Sequence, residues 1–373
     1  MLGHRMPFLR VTLEGEDITS WVESVTVTED DRQADNMALV IGDLRMLYSD
    51  ALFEGSVAEV DLGYASDGEH ALMLRATVTK VELDYPNSGV PRLTLKGEDK
   101  SIEMGLVEKK KLWRNQKVSD IVRAVAEPYG FAEVIVELDP DPTIERRPIN
   151  QDGKTDLAFL QELARRYFSK CFVELDEDER EVLYFIPERA VLSARRADRL
   201  LLAYRLGHDS NLISFSPQFD SSYIDRLKEV EDLDERGTEV RSQDRPPADE
   251  FVWTLDPARL AQASAADRER ILRLYAIGLA RKQELQARLQ ERRPAVGEVA
   301  ADQGDIDSTT NTLESRRFGM SASGTVRGNI WLRAKSMVVV DGVAERFNGE
   351  WYVSNATHKI DRNGYQTSFR CSR

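Results

Sequence analysis

The chain has 373 residues, of which 41% are hydrophobic and 31% charged; that length suits two or three domains, and the composition excludes an intrinsically disordered chain. Acidic residues outnumber basic ones by 65 to 51, for a net charge of −14, which argues against a nucleic-acid-binding domain resting on a basic excess. No apolar run approaches the ~20 residues of a membrane helix, so no membrane insertion is expected.

The first residues, Met1-Leu-Gly-His-Arg-Met-Pro-Phe8, lack the apolar stretch of a secretory signal. Cys171 and Cys371 lie far apart. They predict reduced thiols in a product of the cytoplasm, not a disulfide framework or a zinc site. Asn355-Ala-Thr357 matches a glycosylation acceptor, which is idle without a secretory route.

Residues 7 to about 100 read as β-structure. The strands are Phe8-Leu-Arg-Val-Thr-Leu13, Ser24-Val-Thr-Val-Thr28, Met37-Ala-Leu-Val-Ile41, Val57-Ala-Glu-Val-Asp-Leu62 and the long run from Ala76 to Tyr85. A turn cluster, Pro86-Asn-Ser-Gly89, leads into a returning strand over 90–95. The pattern then changes. Ser119 and Asp156 are placed to cap two helices. The first carries Ile121, Val122, Val125 and Ala126 and stops before Gly130. The second presents Leu157, Leu160, Ala164 and Tyr167, flanked by Phe159 and Leu163. Pro140 and Pro142 mark the loop between them. Two short strands, 171–175 and 182–185, are joined by the acidic turn 176–179.

β character resumes at 212–216 and 224–230. A polar stretch over 242–256 contains Pro246-Pro247. A helix then spans 257–293, with Ile271, Leu274, Ile277 and Leu285 on its stripe. That stripe either covers an edge of its own barrel or joins a subunit interface. Residues 294–316 read as loop. The last sixty residues form a β-meander: 336–340, 350–360 and 365–371, punctuated by Asn348-Gly349 and Asn363-Gly364, two type I′ hairpin signals. The hairpin Ala76 to Asp84 with Leu93 to Lys96 matches Trp351 to Asp361 with Thr367 to Arg370 in pattern. Chance or duplication explains this equally; duplication would give two related β-modules around an α+β insert.

Chemical motifs are absent. His4, His70, His208 and His358 are scattered, with no helical metal spacing, and His358 reads as structural. No glycine-rich phosphate loop and no nucleophile elbow occurs. The acids sit in solvent-like turns, so no glycosidase pair is assigned. Asp302, Asp305 and Asp307 lack the alternation of a calcium loop and read as linker. Lys109-Lys-Lys111 reads as surface, though a phosphate contact is conceivable. Trp331 and Trp351 could serve a glycan-binding tip but suit a core or interface better. No residue is assigned a catalytic, cofactor-binding or metal-binding role, and no cofactor is expected.

Three segments carry a resemblance: Trp113 to Gly130; Asn150 to Ala164 with Leu183-Tyr-Phe185; and Phe347 to His358 with Gly364 to Arg370. In their order and spacing they resemble the phage late control D family. Its members are baseplate hubs of contractile tails and injection systems, similar to the hub part of the type VI secretion spike protein. The resemblance implies a mixed β and α+β fold, with two tube-like β-barrel domains flanking a smaller α+β insert and a long helix near 257–293. The implied domains are 1–100, 101–200 and 201–373, the last with an insertion at about 242–316. It implies a non-enzymatic homotrimer, assembled in the bacterial cytoplasm and placed at the baseplate of a virion or injection particle. The pseudo-sixfold trimer would join the inner tail tube protein, or a tube initiator, to the spike protein, with baseplate wedge proteins around it. DNA or cargo would pass a lumen lined by some of the acids without sticking. The sequence ends soon after the last hub-like strand, so puncturing or wall cleavage is expected of a separate polypeptide. The rivals are a baseplate-associated peptidoglycan-cleaving enzyme and a glycan-binding tail-tip protein.

Overall fold

In a computed structural model of the chain, the described residues are 6–50, 53–66, 68–138, 141–144, 148–167, 169–187, 190–191, 200–205, 210–219, 229–233, 239–243, 255–291 and 320–373. The predicted loop at 294–316, with Asp302, Asp305 and Asp307, lies outside them. So do His4, His208, Pro140, Pro246, Pro247 and most of the strand expected over 224–230.

The first part of the chain forms β1 (Pro7–Leu13), β2 (Val22–Asp30), β3 (Asn36–Gly42), β4 (Val57–Tyr64), β5 (Glu69–Asp84) and β6 (Arg92–Glu98). Strict alternation shapes them. In β3, Met37, Leu39 and Ile41 are buried while their neighbours are half-exposed. These side chains join Val11, Val25, Val27, Val60, Leu93 and Leu95 in one core.

The middle part contributes α1 (Val118–Ala126), β7 (Glu133–Val136), α2 (Asp156–Arg166), β8 (Ser169–Leu175) and β9 (Glu181–Pro187). β9 pairs with β7 in parallel and with β8 antiparallel. Both predicted helices are present, but their caps differ. Ser119 lies inside α1, where its N–H and hydroxyl donate to Asp141. Thr155 caps α2 by accepting from the Ala158 N–H, and Asp156 is its first residue. Phe159, Leu160, Leu163 and Ala164 are buried, whereas Leu157 and Tyr167 are half-buried. With Trp113, Ile121 and Phe185 they form a second core.

The last part holds β10 (Leu200–Ala203), β11 (Leu212–Phe219), β12 (Glu229–Leu233), β13 (Glu239–Gln243), α3 (Pro257–Gln262), α4 (Ala265–Glu291), β14 (Met320–Arg327), β15 (Ser336–Asp341), β16 (Gly349–Asp361) and β17 (Gly364–Ser372). A third core gathers around Trp351, with Leu332, Val338, Val340 and Phe369. The single helix expected over 257–293 is two. Ala263 is extended, and the Ser264 hydroxyl accepts the Asp267 N–H to begin α4. Ile271, Leu274 and Ile277 are exposed, so the stripe does not pack on its own sheet; the Leu285 side chain lies outside the described set. Asn348-Gly349 is not a hairpin turn: Asn348 has φ −69° and ends a connection containing the short helix Glu345–Phe347. A hairpin does form at Asn363-Gly364, but not with the expected type I′ turn: Arg362 and Asn363 are the two turn residues, Gly364 already pairs with Asp361, and the positive φ, 108°, falls on Gly364 and not on Asn363.

One thirteen-stranded sheet contains most of these strands. Its first half runs β1-β4-β5-β6-β3-β2, and its second β10-β15-β16-β17-β14-β11. With each half's strands taken in chain order, and the β12–β13 hairpin and the two-residue strand Glu16–Asp17 beside β1 set aside, the two orders are the same. Two of the irregularities repeat as well, while the shift between Val60 and Asp61 in the pairing of β4 with β5 has no counterpart between β15 and β16. The register of β2 on β3 shifts between Val22 and Ser24, and that of β11 on β14 between Leu212 and Ser214. β5 on β6 shifts between Val78 and Lys80, and β16 on β17 between Val353 and Asn355. Bulges bend a strand and fix its register. In each half the bent strand serves two neighbours in turn: β5 leaves β4 after Thr77 to follow β6, and β16 leaves β15 after Val353. Gly97 sits opposite Val78 at the first bend, where a Cβ would lie 2.8 Å from the Thr77 carbonyl oxygen. The hairpins noticed in the sequence occupy matching places in the two halves. One pairing differs: β1 meets β4 antiparallel, whereas β10 meets β15 in parallel.

Candidate assembly interface

The two halves are joined by backbone pairing. Residues 25–30 of β2 lie antiparallel to 355–360 of β16. Alternation gives the joint two faces. Toward the interior stand Val25 opposite Ile360, Val27 opposite His358 and Glu29 opposite Ala356. On the other face a polar row crosses six strands: Ser214, Thr325, Ser368, Thr357, Thr28 and Asn36 are successive cross-strand neighbours. The Thr325 and Ser368 hydroxyls are 3.3 Å apart, and those of Thr28 and Thr357 are 3.4 Å apart. An open groove of 530 Å³ lies on this face, bordered by Ser216, Ser323, Asn355 and Arg370. On this face Arg327, Arg370, Lys359, Lys96, Lys80 and Arg92 sit among Asp361, Glu98, Asp30, Glu82 and Asp84, so the face has no acidic excess matching that of the chain.

Beneath the joint the three cores meet in a buried ion cluster. Lys335 is 1% exposed and adopts φ 61°. A non-glycine residue in that region costs about 1 kcal/mol, so its contacts must hold it there. Its Nζ lies 3.3 Å from Asp35, 3.1 Å from Glu174 and 3.1 Å from the Asp30 carbonyl oxygen, and 5.0 Å from the centre of the Phe172 ring. Arg333 pairs with Glu29, whose other oxygen accepts the Ala334 N–H. Lys170 lies 2.9 Å from Asp31, and Tyr352 donates to the same carboxylate. The cations of the last part thus hold acids of the first and the middle parts.

Burial raises the Asp35 carboxyl well above its ordinary pKa despite Lys335. It raises Asp99 too, although Ser101 and the Asp35 N–H donate to that carboxylate. Burial opposes the charge of Arg333, but Glu29, Glu174 and Asp35 together hold its pKa above the usual arginine value. Sequence reasoning missed this cluster. Its members are scattered from Glu29 to Lys335, and no local sequence pattern marks them.

The residues singled out in the sequence fall elsewhere. His358 is fully buried, and its Nδ1 lies 2.8 Å from the Tyr365 hydroxyl. His70 stacks on Phe8 and lies beside Asp61. Lys109 pairs with Asp156, Lys111 sits 3.6 Å from the centre of the Trp113 ring, and Lys110 faces Asp152. The triplet is therefore engaged within the chain. Burial alone would raise the Asp156 carboxyl, but Lys109, Tyr129 and Gln151 hold it below the ordinary value. Trp351 is in the core, donating to the Phe347 carbonyl oxygen, and Trp331 is 62% exposed. Both cysteines are buried thiols; burial pushes Cys171 up to about 12. Among the described residues, no group of three or more His, Cys, Asp or Glu side chains is arranged to hold a metal ion, and no helix is long and apolar enough to cross a membrane.

His358 makes a pH prediction. Desolvation, and next the charge of Arg333, lower its pKa to about 3. The unfolded chain binds a proton there below about pH 6.5 that the folded chain refuses. The stability held by the neutral ring is therefore complete above pH 6.5. It falls by about 1.4 kcal/mol per pH unit as the pH drops toward the folded value. The raised Asp35 and Asp99 act oppositely, because they take protons first in the folded state, but they are common to both proteins compared. In denaturant titrations at fixed pH, His358→Gln is expected to lose less stability than the native chain between pH 6.5 and 4. Equal slopes would mean that the folded ring protonates normally.

No protein-family model matches the chain, and no characterised protein matches it by sequence. Its fold is matched by solved structures. One is a tail protein of Neisseria meningitidis, 15% identical, with a TM-score of 0.64 over 99% of this chain and 97% of that one. Another is a 43 kDa tail protein of prophage MuSo2 from Shewanella oneidensis, 14% identical, with a TM-score of 0.63 over 98% of each. A third is an E. coli component of the type VI secretion system, described as structurally similar to phage tail proteins; it is 12% identical, with a TM-score of 0.54 over 98% of this chain and 76% of that one. The chain thus has the fold of phage tail proteins and of a type VI secretion component.

Proposed function

We propose that this protein is a non-enzymatic structural hub at the baseplate of a contractile tail or injection particle. Three copies would form a pseudo-sixfold ring that joins the sixfold inner tube, or its initiator, to a threefold spike, with wedge proteins around it. The observation that carries this reading is the repeated strand order with its repeated bulges. A chain with two similar half-sheets offers six similar units in a trimer, so one object can face partners of both symmetries. The domains are assigned as 1–100, 101–200 and 201–373, each built mainly on one of the three hydrophobic cores, with Ile330, Ile360 and Tyr365 of the last contributing to the first core. The hydroxyl row would line the lumen. A face of small neutral groups with interspersed charges of both signs exerts little net pull on a passing polyanion, so hydroxyls, more than acids, would provide the non-sticking surface.

The test is the mass of the purified full chain by light scattering and native mass spectrometry. A trimer at micromolar concentration is expected. A monomer, or a position off the tube axis in an image of the particle, would overturn the reading.

A further inference from the structure

We propose that neighbouring copies of this chain join by adding β11 of one to β5 of the next, antiparallel, with Phe215 opposite Tyr85 and Pro217 opposite Leu83. This rests on the hub reading above and specifies its subunit contact.

The internal joint supplies the template. It uses the outer edge of β2 and the part of β16 beyond its bulge. The matching bulges place Val22 at Leu212, so 25–29 of β2 correspond to 215–219 of β11. They also place Val78 at Val353 and Lys80 at Asn355, so 355–360 correspond to 80–85. Among the described residues both counterparts lack a strand on that edge. β11 ends the sheet order, and β5 beyond Thr77 pairs only with β6.

Side-chain character independently selects the same register. Transferring the internal pairing sets Phe215 against Tyr85 and Pro217 against Leu83 on the inner face. On the outer face it sets Ser216 against Asp84 and Gln218 against Glu82. Apolar meets apolar and polar meets polar throughout, and a slip of one residue would reverse every match. Leu83 and Tyr85 are 44% and 53% exposed in the single chain, and this contact would cover them. Phe215 already packs edge-on against Trp351 at 5.7 Å, so the third core would continue across the boundary.

Pro217 is consistent with an edge reserved for one partner. Asp31 donates its N–H to Ser354, which fixes the odd-numbered residues of β2 as those pointing toward β16. Pro217 corresponds to Val27, so it withholds one N–H from the outer edge while still accepting a bond there. That loss discourages indiscriminate edge pairing and leaves the remaining ladder intact. Each copy carries one of each edge, so the contact is head to tail, and a threefold rotation would close it as the ring of the hub reading.

The experiment is cysteine pairing in the full-length protein. Ser216 and Asp84 would form a non-hydrogen-bonded pair, whose Cα atoms lie about 4.5 Å apart, within disulfide reach. After mild oxidation, S216C/D84C is expected to give reducible covalent dimers and trimers. Co-expressed single variants should link only to each other. The diagonal pair Q218C/D84C, at about 7–8 Å, should not link. Circular dichroism and light scattering on each variant check fold and mass. A trimer that links through the diagonal pair, or through neither, would overturn this register and leave the hub reading standing. A folded monomer that does not link would overturn both.

Discussion

Replacing Lys335 with methionine is expected to destabilise the protein by about 3–5 kcal/mol, the usual cost of removing one partner from a buried ion group. Methionine keeps most of the volume, so packing loss contributes little. Asp35 and Glu174 would lose the ammonium lying 3.3 and 3.1 Å away, with Glu29 nearby and already engaged by Arg333. The deficit is expected to shrink as the pH falls, because Asp35 is already raised by burial and would take up a proton to relieve the excess charge. Adding Asp35→Asn should restore part of the loss. Thermal unfolding of the three proteins at pH 8 and pH 5 checks this. A Lys335→Met variant with native stability at pH 8 would show that the cluster is solvated in solution. Because the cluster joins three cores, the variant should also lose cooperativity between them, seen as separated transitions.

Leu160→Asp is the second large expectation, with a loss of more than about 4 kcal/mol in the middle part. Leu160 is 0% exposed on α2 and packs within the core built by Trp113, Ile121 and Phe185. A carboxylate there must ionise without a partner or remain protonated, and either choice is costly. Hydrogen exchange should show lost protection across α1, α2 and β7 to β9, while β14 and β17 retain theirs. Near-native protection of α2 would mean that its buried face has been misassigned.

The α2 example shows how far periodicity reaches. Leu160 and Ala164 were legible because helical spacing places them on one stripe, and Leu163 with Phe159 appeared as its flank. The cap was not legible in the same way. Thr155 and Asp156 are both good capping residues, and the choice fell to Lys109, Tyr129 and Gln151, which draw the Asp156 carboxylate inward. Ser119 was misplaced similarly, because Asp141, twenty-two residues away, supplies its partner. The long helix was read as continuous because one serine weakens a helical pattern little; the extended Ala263 divides it.

The sequence alone determined where the chain alternates and where it turns. It fixed the residues whose side chains must leave water, and it showed a hairpin near 80 and another near 360 with the same pattern. Those are local properties, set by a two-residue or 3.6-residue period. Only the tertiary structure decided that the two hairpins occupy equivalent places in equal strand orders, that β2 joins β16, and that Lys335 lies among acids from distant segments. The reason is physical: strand partners and buried ion partners are chosen by contacts hundreds of residues apart, where edges, registers and desolvated charges satisfy one another, and no short window of sequence contains both sides of such a contact.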